Sequence, residues 1–259
     1  MSPAQFAGRD NEQYQSHGII TLVKRTAVLL IAVAGLAAGW ASADEASVRQ
    51  ALRARIPPNM VIESVTRAPF AGLYEVVLDG EIVYTDEKAE YFFGGTIHDI
   101  RTLPPRNVTQ DRLNQMVVER FTNARELAIK RVRGNGARTL FTFEDPNCPY
   151  CKALQVELAK MDNVTIYTFM LPILSQDSVE KSVAVWCAKD RAEAWEELLS
   201  RGTVPGSGTS CRHPLEQISA LARRFQIQST PAIFLGNGAL IGGMRSALDI
   251  ERAFAATAR

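Results

Sequence analysis

The sequence has no excess of charge, no long apolar run and no internal repeat, and each gap removes a class of function. Its 29 Lys and Arg stand against 28 Asp and Glu. That balance exerts no pull on nucleic acid or anionic lipid. The apolar and small-residue stretch from Ala27 to Trp40 is 14 residues long, short of the ~20 that cross a bilayer as a helix. No fixed period or low-complexity tract marks a solenoid or a tail. What remains is a 259-residue chain, 46% hydrophobic and 22% charged, the balance of a globular protein with one large or two modest domains.

Lys24 and Arg25 precede the apolar stretch, and Ala41-Ser42-Ala43 then Asp44-Glu45 follow it. A basic region, a short apolar core and a small-x-small site are the layout of a secretory signal peptide, cleaved after Ala43. Removing residues 1–43 takes three basic and two acidic residues, leaving 26 of each. Export also places the four cysteines, Cys148, Cys151, Cys187 and Cys211, where thiols can pair and stay paired.

The spacing of Val48, Leu52 and Ile56 predicts a helix over 45–56, stopped by Pro57-Pro58. "LYEVVL", "EIVYT" and "EYFFGGTIHDI" read as strands, the first two joined by a hairpin at Asp79-Gly80. Phe70, Phe92 and Phe93 read as core of this small unit. From Thr109, a candidate N-cap, to about Val132 the pattern is helical, and the basic end "KRVRGNGAR" reads as a solvated helix terminus. A strand over 139–143, a helix near Cys148 and a strand over 164–170 follow. Further helices are expected over 178–199, 215–225 and 247–256, with a hairpin around Gly236-Asn237-Gly238. Strand, helix, strand, inserted helices, hairpin and helix make an α/β domain.

Within it, "FTFEDPNCPYCKAL" sets Cys148 and Cys151 where a strand gives way to a helix. Pro149 suits a first helical position, where its missing N–H costs nothing. Cys148 then faces the free N–H groups of the helix start, which favour a thiolate. Cys151, one turn inward, is sheltered. The asymmetry makes Cys148 the attacking sulfur and Cys151 the resolving one. A zinc site would need Cys211 and His213, whose spacing is not that of a metal knuckle. A permanent bridge across so small a loop would remove little unfolded-state entropy. Redox exchange is therefore the reading of the motif. Cys187 and Cys211 are left for each other as a structural bridge, with a second redox pair as the rival. Glu144 and Asp145 lie close enough to tune Cys148 but read first as loop and capping residues.

With "FEDPNCPYCKAL", "VWCAKD" and its later Cys211, "STPAIFL" and "APFAGLYEVVL" in hand, the chain resembles the DsbC/DsbG family of bacterial periplasmic disulfide isomerases. Its CPYC dipeptide is common on the DsbG side, whereas the Cys187/Cys211 pair speaks for DsbC. The resemblance implies four parts: a signal peptide (1–43), a small cystatin-like α+β dimerisation domain (44–105), a linker helix (106–134) and a thioredoxin-like catalytic domain with inserted helices (135–259). It implies that Cys148 is the nucleophile and Cys151 its partner, and that Cys187–Cys211 is structural. Thr230-Pro231 would be a cis peptide facing the pair, with Thr230, Pro231, Pro149 and Tyr150 bordering the substrate. Partners implied are misfolded exported proteins, a second copy of the chain and a membrane thiol reductase of the DsbD type. No metal or other cofactor is called for. A dithiol oxidase and a non-enzymatic holdase are the alternative functions.

Overall fold

A computed structural model describes the backbone of residues 40–206 and 211–257, with side chains from residue 45. The expected signal peptide therefore lies almost wholly outside the described residues. Among those described, no helix is long and apolar enough to cross a membrane. The chain divides between Gly94 and Gly95 into two compact units, eleven residues before the boundary expected after Pro105.

The described residues of the first unit form one helix and a four-stranded meander. Helix α1 (Trp40–Arg53) starts five residues earlier than predicted and buries Val48 and Leu52. Strands β1 (Ile62–Arg67), β2 (Tyr74–Leu78), β3 (Glu81–Thr85) and β4 (Phe92–Phe93) follow in antiparallel order β1-β2-β3-β4. The β2–β3 hairpin turns through Asp79 (φ 48°) and Gly80 (φ 88°), the two positive φ values of a type I′ turn. Strand β1 escaped the sequence reading because its register shifts between Ile62 and Ser64, which breaks the alternation that marks a strand. Phe70 packs against Tyr84, the rings tilted and 5.6 Å apart between centres. Phe92 and Phe93, expected in the core, face solvent, because β4 is the sheet's edge.

The second unit opens with a two-stranded pair, β5 (His98–Asp99) and β6 (Arg106–Asn107), so "EYFFGGTIHDI" is not one strand. Helix α2 is Val108–Asn123. Asn107 is its N-cap, accepting from the Gln110 N–H at 2.9 Å. Thr109, the predicted cap, instead accepts from the Ile97 N–H through its hydroxyl. The helix stops nine residues before Val132, and residues 129–133 are strand β7 (Ile129–Arg133). That strand hid in the sequence because its charge faces inward: Arg131 is buried while Val132 is exposed. Nor is α2 a free linker. Phe121 is fully buried, its ring 5.0–5.7 Å from those of Phe141, Phe143, Phe169, Phe225 and Phe234.

Strands β8 (Arg138–Glu144), β9 (Val164–Met170), β10 (Ala232–Leu235) and β11 (Leu240–Gly242) complete a sheet of order β11-β10-β8-β9-β7. Only β8 and β9 run parallel, joined across helix α3 (Pro149–Leu158). Between β9 and β10 come α4 (Gln176–Cys187), α5 (Arg191–Arg201) and α6 (Leu215–Arg224), and α7 (Ala247–Thr257) ends the unit. Alternation along the strands feeds two cores. Phe141, Phe143, Phe169 and Phe234 join α2 and the inserted helices; Leu140, Ile166, Ile233 and Leu235 join Leu154 and Leu158 of α3 and Ile250 of α7. The turn before β11 comes so close to α2 that a Cβ on Gly238 (φ 88°) would sit 2.0 Å from the Asn114 carbonyl oxygen. Only glycine fits there.

Candidate active site

The site forms where β8 ends and α3 begins. Cys148 is the N-cap of α3 and Pro149 its first residue, so Cys148 sits at the positive end of the helix dipole. Both cysteines are free thiols. Cys148 keeps 4% of its surface exposed and Cys151 none. The Cys148 thiol donates to the Thr230 carbonyl oxygen at 3.3 Å, and Thr230-Pro231 is a cis peptide. Four of the predicted residues, Cys148, Cys151, Thr230 and Pro231, thus meet at one point. Tyr150 projects into solvent from the first turn, 65% exposed. Cys187 and Cys211 are bonded to each other; Cys187 is the last residue of α4, not mid-helix.

Behind the cysteines lies a polar set from which sequence reasoning singled out Glu144 alone, and that first as a loop or capping residue. Residues 142 and 144 of β8, 168 of β9 and 131 of β7 face α3 together. Glu144 is fully buried. It accepts from the hydroxyls of Thr142 (2.7 Å) and Thr168 (3.3 Å) and from Gln155 Nε2 (2.5 Å). Arg131 donates to Gln155 Oε1 and, at 2.9 Å, to Thr168, and its guanidinium is 3.9 Å from Glu144. Burial pushes the Glu144 carboxyl up, opposed chiefly by Arg131. Burial also pushes the Cys151 thiol up, and the charge of Glu144 adds to it. Glu144 is thus no loop residue, and Arg131 is no solvated helix end. The available signal was the terminal position of Glu144 in the unbroken run "TLFTFE", where a strand buried on both faces carries a charge inward.

Asp145 is buried too and shapes the rim. It accepts from the backbone N–H groups of Asn147, Ile173 and Leu174 (2.8–3.0 Å) and from the Ser178 hydroxyl (2.8 Å). Those bonds tie the loop after β9 to the loop before Cys148, leaving the Ile173 and Leu174 side chains exposed beside the site. No group of three or more His, Cys, Asp or Glu among the described residues is arranged to hold a metal.

A parallel β8–α3–β9 crossover with a dithiol at the helix start, faced by the carbonyl of the residue before a cis-proline, defines a thiol:disulfide oxidoreductase on a thioredoxin-like domain. Residues 125–258 match the family described as a thioredoxin-like domain, and residues 39–110 match the disulfide bond isomerase protein N-terminal domain. The chain belongs to the DsbC family. It is 41% identical over 191 residues to a probable thiol:disulfide interchange protein DsbC of Bordetella parapertussis, covering 73% of this chain and 67% of the relative. It is 26% identical to the thiol:disulfide interchange protein DsbC of Escherichia coli, over 82% of this chain and 88% of the relative. A crystal structure of a disulfide interchange protein from Neisseria gonorrhoeae aligns with 51% of this chain and 96% of its own, at 36% identity and a TM-score of 0.49.

Proposed function

We propose that the protein is a periplasmic disulfide isomerase and reductase acting on exported proteins that carry wrong disulfides. The Cys148 thiolate attacks one sulfur of such a bond. A Cys148–client disulfide forms and the other client sulfur leaves as a thiolate. There are two exits. Another client thiolate can attack the mixed bond, freeing Cys148 and leaving the client rearranged with no net electron transfer. Alternatively Cys151 attacks the Cys148 sulfur, forming Cys148–Cys151 and passing two electrons to the client, whose thiolate then takes a proton from solvent. The sulfurs carry the electrons, and a membrane thiol reductase of the DsbD type would restore the dithiol.

The second exit requires Cys151 to lose a proton where water does not reach. Glu144 is the acceptor at hand. Gln155, one turn after Cys151 on α3, holds the buried Glu144 carboxyl at 2.5 Å behind the pair, so the proton leaving Cys151 passes to Glu144, whose affinity for it burial has raised.

The observation that carries the reading is the Cys148 thiol against the Thr230 carbonyl, with Cys151 sealed one turn behind. The test is capture: Cys151→Ala lacks the second exit, so mixed disulfides should accumulate on Cys148 in the periplasm. Exported disulfide proteins among the captured species support the proposal, and an absence of covalent adducts contradicts it.

A homodimer built through the N-terminal unit is part of the same reading. Strand β4 is a sheet edge, and Tyr91, Phe92 and Phe93 around it are solvent-exposed; unpaired edges and aromatic patches suit a second copy. Phe92→Glu should shift sedimentation to the monomer, and an unchanged mass would exclude this edge.

A further inference from the structure

Arg131 stands between two carboxylates. Its Nη2 is 3.9 Å from Glu144 Oε1 and its Nη1 is 3.8 Å from Glu196 Oε1. Glu144 is sealed beneath α3. Glu196 comes from the inserted helix α5, is half-exposed, and borders a groove of about 700 Å³ together with Arg133, Lys152, Val156 and Leu199. Arg133 Nη2 donates to it at 2.7 Å. A surface acid, a buried cation and the buried acid beside Cys151 therefore form one connected set. The redox steps above leave Arg131 and Glu196 without a role.

We propose that Glu196 is a positioning residue for the resolving step: by drawing on Arg131 from the surface, it limits how firmly Arg131 holds Glu144 ionised. It thereby sets how readily Glu144 takes the proton of Cys151. The inference rests on Glu144 being that acceptor. A guanidinium keeps its proton in a folded protein, so Arg131 relays nothing; it is a fixed positive charge whose pull on Glu144 the negative charge of Glu196 partly offsets. The groups facing Glu144 are the Thr142 and Thr168 hydroxyls from β8 and β9, Gln155 and Cys151 from α3, and Arg131 from β7, with Glu196 and Arg133 beyond. Among these, Glu196 is the carboxylate that solvent reaches. Neutralising it removes that offset, so Glu144 surrenders its charge less readily and the thiolate of Cys151 forms more slowly.

The reduced full-length protein, mixed with a peptide disulfide labelled with a fluorophore and its quencher, reads this in two phases. The first is attack by Cys148, and the second is displacement by Cys151. Glu196→Gln should slow the second phase roughly threefold to tenfold at neutral pH, a coupling typical of contacting charged groups, and leave the first unchanged. The deficit should shrink toward alkaline pH, where Cys151 ionises without help, and Glu196→Asp should restore the rate. In a Glu144→Gln background, Glu196→Gln should do nothing further. An unchanged second phase in Glu196→Gln, with Glu144→Gln slowed, overturns the inference and leaves the role of Glu144 standing. An unchanged second phase in Glu144→Gln removes both. Should Glu144→Gln fail to fold, the exposed Glu196 variants decide alone: slowing without a shifted pH profile marks mere disturbance and overturns the proposal.

Discussion

The Cys148 thiol and the Thr230 carbonyl, 82 residues apart in the chain, are 3.3 Å apart in the fold. The contact exists only while the sulfur holds its proton, because a thiolate cannot donate. In the proposed mechanism, ionisation of Cys148 frees the Thr230 carbonyl to accept from a client N–H as the sulfur becomes a nucleophile. That mechanism couples activation to docking through one hydrogen bond.

Tyr150, Ile173 and Leu174 form an exposed apolar rim, and the proposed mechanism assigns further client contact to it. Tyr150→Ala and Ile173→Ser should each lower the refolding rate of a scrambled multi-disulfide protein a few-fold. Reduction of a small aromatic disulfide should proceed as before, since no extended chain needs to lie on the rim. Parallel assays with the two substrates separate the effects.

The site's visible half was legible because it is local. Strand, CxxC and helix follow one another directly, with Pro149 marking the first turn. The other half is assembled by the sheet from β7, β8, β9 and α3, so Arg131, Thr168 and Gln155 have no common neighbourhood in the sequence. Periodicity failed at Arg131 for a definite reason: an inward charge beside the outward Val132 inverts the pattern that betrays a strand. Phe92 and Phe93 failed in the opposite sense, being apolar residues at an edge rather than in a core.

The Cys187–Cys211 bridge joins the end of α4 to the segment before α6, with a sequence separation of 24. Closing such a loop is worth about 3.5 kcal/mol in the chain-entropy treatment. Paired replacement by alanine should lower unfolding stability by roughly that amount, read from the urea midpoint. The Cys148–Cys151 exchange rate with glutathione should not change.

Phe121 tests whether α2 belongs to the catalytic unit. Its ring meets five others, and deleting a buried phenylalanine typically costs about 3–5 kcal/mol. Phe121→Ala should destabilise the catalytic unit by that much in denaturant unfolding. A loss under about 1 kcal/mol would mean that α2 is dispensable to the core.

Glu144 also leaves a mark on stability against pH. Its carboxyl is raised above the ordinary 4.5 by burial, so its contribution is fully present below that value. It is lost as pH rises through the folded value, where the buried group must charge. The stability of Glu144→Gln relative to the unaltered protein should therefore climb with pH across the range above about 4.5 and then level off. Urea titrations at a series of pH values measure that slope, and a difference that falls with pH would contradict the assignment.

The most direct measurement is recovery of a scrambled multi-disulfide protein by the reduced enzyme and its two single-cysteine variants. Cys148→Ser should recover nothing above the uncatalysed rate. Cys151→Ser should still begin exchange but accumulate a covalent adduct with the client. Recovery by Cys148→Ser at the unaltered protein's rate would contradict the account.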